Sequence, residues 1–166
     1  MKNRIGIIFL FIATGAVLFI ACSKNKDSAK FAKEAAQGGM AEVEMGRLAV
    51  ERGTRPEVKQ FGQRMIDDHS KANNELMQLA ARKHMQLPKE VSSEQKEMMD
   101  KLSKRSGADF DKEYVEAMVE DHEHDVKAFE EQAEEGTDPD IKQFAAKTLP
   151  TVKQHLELIR SIKSRM

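Results

Sequence analysis

Apolar residues along most of this chain recur every three or four positions, the spacing that lines one face of an α-helix. Four long stretches carry it, at about residues 29–52, 56–84, 109–135 and 139–164, designated A to D. The face of B is Val58, Phe61, Met65, Ala72, Leu76 and Leu79, and that of C is Tyr114, Met118, Phe129 and Ala133. D offers Ile141, Thr148, Val152, Leu156 and Ile159; A offers Phe31, Ala35, Gly38, Gly46 and Ala49. A shorter stretch (about 93–105) lies between Leu87-Pro88 and Gly107, with Ser92 or Ser93 placed to cap it. Alternating strand-like segments are few, so the spacing predicts an all-α fold.

Polar residues interrupt these faces at four places. His69 lies within the face of B, His122 within that of C with Asp125 one turn along, and His155 at the border of D. On A, Glu42 falls on the buried side while Glu44 points away. His84 and His124 fall outside this set, and His124 is expected in solvent.

Two repeats organise the chain. Gly53-Thr54-Arg55-Pro56-Glu57-Val58-Lys59-Gln60-Phe61 returns as Gly136-Thr137-Asp138-Pro139-Asp140-Ile141-Lys142-Gln143-Phe144. In each copy the glycine is placed to close one helix in a left-handed conformation and the proline to open the next. Asp138 is a good N-cap; Arg55 is not, which leaves Thr54 for that role. Phe31-x-Lys33-Glu34 likewise matches Phe110-x-Lys112-Glu113. The chain thus reads as two helical hairpins, A–B and C–D. A second match, Phe61-x-x-x-Met65-Ile66-Asp67-Asp68-His69 with Tyr114-x-x-x-Met118-Val119-Glu120-Asp121-His122, relates B to C instead and reflects similar local demand or chance. Helix B would be roughly 42 Å long at ~1.5 Å per residue. The B–C connection with its short helix can travel that distance. This predicts a four-helix bundle in up-down-down-up order with a crossover, as in ferritin-like folds.

The N-terminus gives an address. Lys2 and Arg4 precede an apolar run from Ile5 to Ala21, which reads as a secretory signal peptide (1–21) rather than a spanning anchor. Leu18-Phe19-Ile20-Ala21-Cys22 resembles the bacterial lipobox, with Phe19 departing from its usual aliphatic residue. The resemblance implies cleavage before Cys22, acylation of that cysteine (palmitate among the chains) and a stable membrane anchor. Ser23 in place of Asp resembles the Gram-negative sorting pattern that favours the outer membrane, which implies an outer-membrane lipoprotein facing the periplasm. Residues 22–28 then form the lipidated cysteine and a polar tether, and 29–166 a single bundle domain.

Composition narrows the function. Removing Lys2 and Arg4 leaves 25 bases against 28 acids, without the basic face that nucleic acid requires. The lone cysteine rules out an internal disulfide framework, and no nucleophile motif supports hydrolase chemistry.

Gly38-Gly39-Met40-Ala41-Glu42-Val43-Glu44, Gly46-Arg47-Leu48-Ala49, Met65 to His69, Gly107-x-x-Phe110-Asp111, Tyr114, Asp121-His122, Leu149-Pro150 and His155-Leu156 together resemble the bacterial envelope family called domain of unknown function 4142. The resemblance spans nearly all of the mature chain. It implies a ferritin-like fold and an envelope location, and no established reaction.

Counting from the hairpin loops, His69 and His122 each lie about 13 or 14 residues in, roughly 20 Å, with Glu42 and His155 within a turn or so of the same height. Glu42, His69, His122 and His155 therefore form a candidate cage for a divalent metal. The alternative is a structural layer in which these groups satisfy one another and set the register of the bundle. Di-iron chemistry needs Glu-x-x-His on two helices, and Ile66, Val119 and Val152 stand where glutamates would. The methionines Met65, Met77, Met98, Met99 and Met118 suggest copper(I) less than adaptable core packing. Two classes remain: a lipid-anchored protein binding a metal or small ligand, protective under stress, and a non-catalytic interaction module. Neither requires an enzyme.

Overall fold

The computed structural model describes the backbone from Gly15 and the side chains from Ser28 to Met166. The expected signal peptide (1–21), the expected acylation site Cys22 and the expected tether as far as Asp27 lie outside the fully described residues. The described chain is helices joined by turns: α1 (Gly15–Arg52), α2 (Pro56–Arg82), α3 (Ser93–Ser103), α4 (Gly107–Glu135) and α5 (Pro139–Lys163). Helices α2 to α5 match the expected spans to within two residues at each end, and α1 ends at Arg52 as expected. None of the described helices is long and apolar enough to cross a membrane.

The main interfaces join α1 to α2 and α4 to α5, as hairpins require. Two glycines let α1 and α2 approach closely. A Cβ on Gly46 would lie 2.6 Å from the Gly62 carbonyl oxygen, and one on Gly62 2.7 Å from that of Gly46. The joints differ from expectation in one respect. Neither Gly53 nor Gly136 is left-handed; among the described glycines only Gly107 is, at φ +62°. Space selects glycine at the joints instead, because a Cβ would meet the Ala49 carbonyl oxygen at 2.6 Å and that of Gln132 at 2.3 Å. The left-handed turn that does close a helix belongs to His84 (φ 53°), with Met85 N–H donating to the Ala80 carbonyl at 2.9 Å.

Capping also departs from expectation at one joint. Asp138 caps α5 through the Asp140 and Ile141 N–H groups, and Ser92 forms a reciprocal capping box with Gln95 on α3. Thr54 does not cap α2. Its N–H and hydroxyl both turn to Asp111 of α4, which also accepts the Arg55 N–H at 2.9 Å. A carboxylate from another helix thus holds the two residues that precede α2, and no side chain caps that helix.

Contacts at the helix ends place the hairpins against each other. Asp111, near the start of α4, holds the α1–α2 joint, and Arg55 there reaches the Arg165 carbonyl just past the end of α5. At the opposite end Ser28 accepts from Gln132 at the end of α4, and Lys83 bridges Asp138 and Asp140 at the start of α5. The short α3 forms a separate helix packed on α1 and α4, with Leu102 buried. Two apolar clusters fill the interior. One gathers Met45, Phe61, Met65, Phe110, Tyr114, Met118 and Ile159; the other gathers Phe31, Leu76, Leu79, Phe129, Ile141 and Phe144. Between them, at mid-height, lie the buried polar residues Glu42, His69, His122 and His155.

Candidate metal centre

Each of the four long helices sends one polar side chain into this layer. Helical phase explains why. Met65 and Leu76 bracket His69 on the buried face of α2, Met118 and Phe129 bracket His122 on α4, and Val152 and Ile159 bracket His155 on α5. The apolar neighbours carry the histidines inward with them. All three are buried, His122 and His155 completely so, and Glu42 is fully buried as well.

One ring nitrogen from each of His69, His122 and His155 lies within 4.8 Å of the others. Ring centroids are 5.2–5.8 Å apart. Phe61 closes the layer from the side of the first cluster, meeting His122 and His155 edge-on at 6.0 and 6.2 Å. Glu42 stands beside two of the rings, with Oε2 2.7 Å from His69 Nδ1 and Oε1 3.4 Å from His122 Nε2. Neither approach is aligned as a hydrogen bond, so both Glu42 oxygens lack a hydrogen-bond partner among the described residues. The triad of imidazoles converges, and Glu42 flanks it at the edge of His69 and His122.

His122 and His155 each have one nitrogen hydrogen-bonded and one free, while His69 has one nitrogen beside Glu42. His122 Nδ1 lies 2.9 Å from the Met118 carbonyl oxygen, so it carries the proton and leaves Nε2 with a lone pair. His155 Nε2 lies 2.8 Å from Asp68 Oδ2, which leaves Nδ1 free. His69 Nδ1 faces Glu42, which leaves its Nε2. The three remaining atoms, His69 Nε2, His122 Nε2 and His155 Nδ1, are buried and lack a hydrogen-bond partner. An oxygen acceptor on the far nitrogen is what fixes the tautomer and raises the basicity of a metal-binding histidine.

Electrostatics keep the layer neutral without an ion. Burial lowers all three imidazoles, His122 to about 3 and His155 to about 4, and the Asp68 hydrogen bond only partly opposes it at His155. Burial, with Asp125 adding to it, raises the Glu42 carboxyl well above the usual range. Burial and then Glu42 and Asp125 push half-buried Asp121 up to about 8. Tyr114, fully buried with an unpartnered hydroxyl, is raised by burial and by Glu42.

Phase and height in the sequence identify Glu42, His69, His122 and His155, and these residues do share one layer. Glu44 and His124 are exposed, as their phases predict, and His84 lies at the exposed end of α2. The sequence reading passed over Asp68. Its signal is adjacency to His69, since on a helix the preceding residue sits about 100° round, here toward α5 and His155.

The chain belongs to the family described as domain of unknown function (DUF4142), which matches residues 21–162. No curated protein matches the chain by sequence. Similar solved structures are all helical and share the fold. The crystal structure of a DUF305 fragment from Deinococcus radiodurans has TM-score 0.73 and 12% identity, over 84% of this chain and 97% of that one. A DUF305 protein from Streptomyces coelicolor has TM-score 0.69 and 19% identity, over 84% and 93%. CopM in its Cu(I)-bound form has TM-score 0.69 and 13% identity, over 83% and 96%.

Proposed function

We propose that this protein is a non-enzymatic, lipid-anchored protein of the bacterial envelope whose bundle binds a divalent transition-metal ion in the His69–His122–His155 layer, with Glu42 beside it. The observation that carries the reading is the set of three buried imidazole nitrogens without a partner, two of them on rings whose other nitrogen is hydrogen-bonded to an oxygen. A buried polar atom left without a partner costs about 1–3 kcal/mol. A layer serving only to set register gains nothing by leaving three such atoms unpartnered. A metal accounts for all three at once, drawing the nitrogens inward to bonds of ~2.0–2.1 Å. Imidazole with carboxylate suits zinc, copper(II), nickel or iron, and Met65, Met77 and Met118, each the sole soft ligand in its turn, read as core packing more than as copper(I) ligands. That CopM, with a similar fold, has Cu(I)- and Cu(II)-bound forms supports the choice of copper as the first ion to try.

The bundle is read as ferritin-like, in up-down-down-up order with α3 as the crossover. The end contacts support this, since the start of α4 meets the start of α2 while the end of α4 meets Ser28 of α1. The anchor reading rests on Cys22 and the outer-membrane reading on Ser23. Cys22→Ala should abolish fatty-acid labelling and leave unprocessed precursor; normal processing of that variant would refute the lipoprotein.

Metal content of the purified protein, followed by melting with zinc, manganese, iron or copper, tests the site. At a free ion concentration of 100 times Kd the gain in stability should be about 2.7 kcal/mol. Loss of that gain in His69→Ala, His122→Ala and His155→Ala is the expected result. If no metal is carried and none stabilises, the layer is structural and the protein is an interaction module.

A further inference from the structure

The face formed by α2 and α5 carries a small cleft of about 120 Å³, and its inner wall is His69 and His155. Asp68, Glu75, Lys147 and Thr151 form its outer part. One water needs roughly 10–15 Å³, so solvent and small hydrated ions fit. A larger cavity of about 560 Å³ lies between α1, α3 and α4, lined by Glu34, Glu94, Glu120, Asp121 and Asp125. Its acidity would attract cations, yet none of Glu42, His69, His122 and His155 lines it. Contact with the ligand-bearing rings, not acidity, separates the two.

The geometry points to the α2–α5 cleft as the path by which a divalent cation enters and leaves the imidazole triad, with Asp68 as the carboxylate that receives it. This inference rests on the metal-binding reading above. Asp68 is suited to both ends of the passage. Its side chain is 39% exposed, so it meets the hydrated ion, and its Oδ2 lies 2.8 Å from Nε2 of fully buried His155. That bond holds Nδ1 of His155 as a free donor, so Asp68 is also a positioning residue for the ring. An entering ion would exchange its waters first for an Asp68 oxygen and then for the nitrogens of His69 and His155. At the rim Lys147 lies 2.8 Å from both carboxylate oxygens of Glu75, which cancels that acid's attraction for a cation. The mouth is therefore gated by charge as well as by width.

Stopped-flow measurement of zinc(II) uptake by the metal-free protein, and of its release to a chelator, tests the route. A plug on the path slows entry and exit alike and leaves the equilibrium untouched. Thr151→Phe, in the cleft wall, should slow both rates by about ten-fold with Kd unchanged. Lys147→Gln, on an exposed side chain that folding does not depend on, should speed uptake several-fold, with the effect fading as salt rises. Ala117→Phe, in the wall of the larger cavity, should change neither rate. Unchanged rates in both Thr151→Phe and Lys147→Gln, or slowed exchange in Ala117→Phe alone, would overturn the route. Should Thr151→Phe fail to fold, Lys147→Gln decides by itself. A wild-type protein that holds no zinc at equilibrium refutes the binding reading beneath the route, an outcome separate from a site that fills by another path.

Discussion

Asp111 and Glu42 are the two fully buried carboxylates among the described residues, and their surroundings treat them oppositely. Asp111 accepts the Thr54 N–H at 2.9 Å, the Arg55 N–H at 2.9 Å and the Thr54 hydroxyl, and so ties α4 to the α1–α2 joint. Glu42 has two imidazoles close by and no aligned donor. Equal burial thus serves two ends. Where donors converge, a buried carboxylate is a structural staple; where lone pairs converge, an equally buried carboxyl, pushed toward its neutral form, marks a place prepared for a cation.

Removing Asp111 should produce the largest effect. Asp111→Ala strands two backbone N–H groups and a hydroxyl, and a loss of about 3 kcal/mol in urea denaturation is expected. Zinc affinity of the molecules that remain folded should not change. A loss below ~1 kcal/mol would show that water replaces the carboxylate and that the contrast with Glu42 is false.

Glu42→Gln should do the reverse. The metal-free protein should keep its stability or gain some, because a buried acid without a donor is replaced by a neutral amide. Metal affinity measured by calorimetry should fall about 10–100-fold, the range typical for residues supporting a metal's ligands. Destabilisation as large as that of Asp111→Ala would assign Glu42 a structural role instead.

The pH dependence of the metal-free protein sharpens the contrast further. The histidines have folded values below their unfolded 6.5, so their stabilisation is present above 6.5 and lost as pH falls toward about 4 and 3. Glu42 and Asp121 have folded values above their unfolded ones, so their contribution is present in acid and lost as pH rises, for Asp121 toward about 8. Three imidazoles outweigh two carboxyls below 6.5, and the carboxyls act alone above it. Urea denaturation should therefore show a maximum near pH 6.5 and a fall toward pH 8. Glu42→Gln should flatten that alkaline fall, and bound zinc should abolish it. A curve still rising at pH 8 would contradict the assignment.

His124→Ala should have the smallest effect. This side chain is 76% exposed beside Asp125 and lies outside the layer. Melting and metal affinity should both match the wild type. A weakened site would mean that the acidic cavity beside α4 takes part in binding.

Much of the layer is legible along the chain because helical phase is a local property. The apolar neighbours of His69, His122 and His155 fix the direction of each ring, and distance from Pro56 and Pro139 fixes its height. Asp68 is less legible, since its partner is 87 residues away and depends on how α5 lies against α2. Gly53 and Gly136 show the same limit. Their positions are readable as joints, but close contact with Ala49 and Gln132, rather than a left-handed turn, explains them.

Periodicity, punctuation and composition by themselves determine an all-helical chain of two hairpins, joined by a connection with its own short helix. They also place one polar group at mid-height on each long helix, because those facts depend only on spacing within a helix. Tertiary structure alone decides which nitrogen of each ring is free, which carboxylate is stapled and which is left open, and which cleft reaches the layer. These are matters of ångström-scale distance between helices remote in sequence. The close approach at Gly46 and Gly62 and the packing of α5 on α2 set those distances, and no periodicity along the chain encodes them.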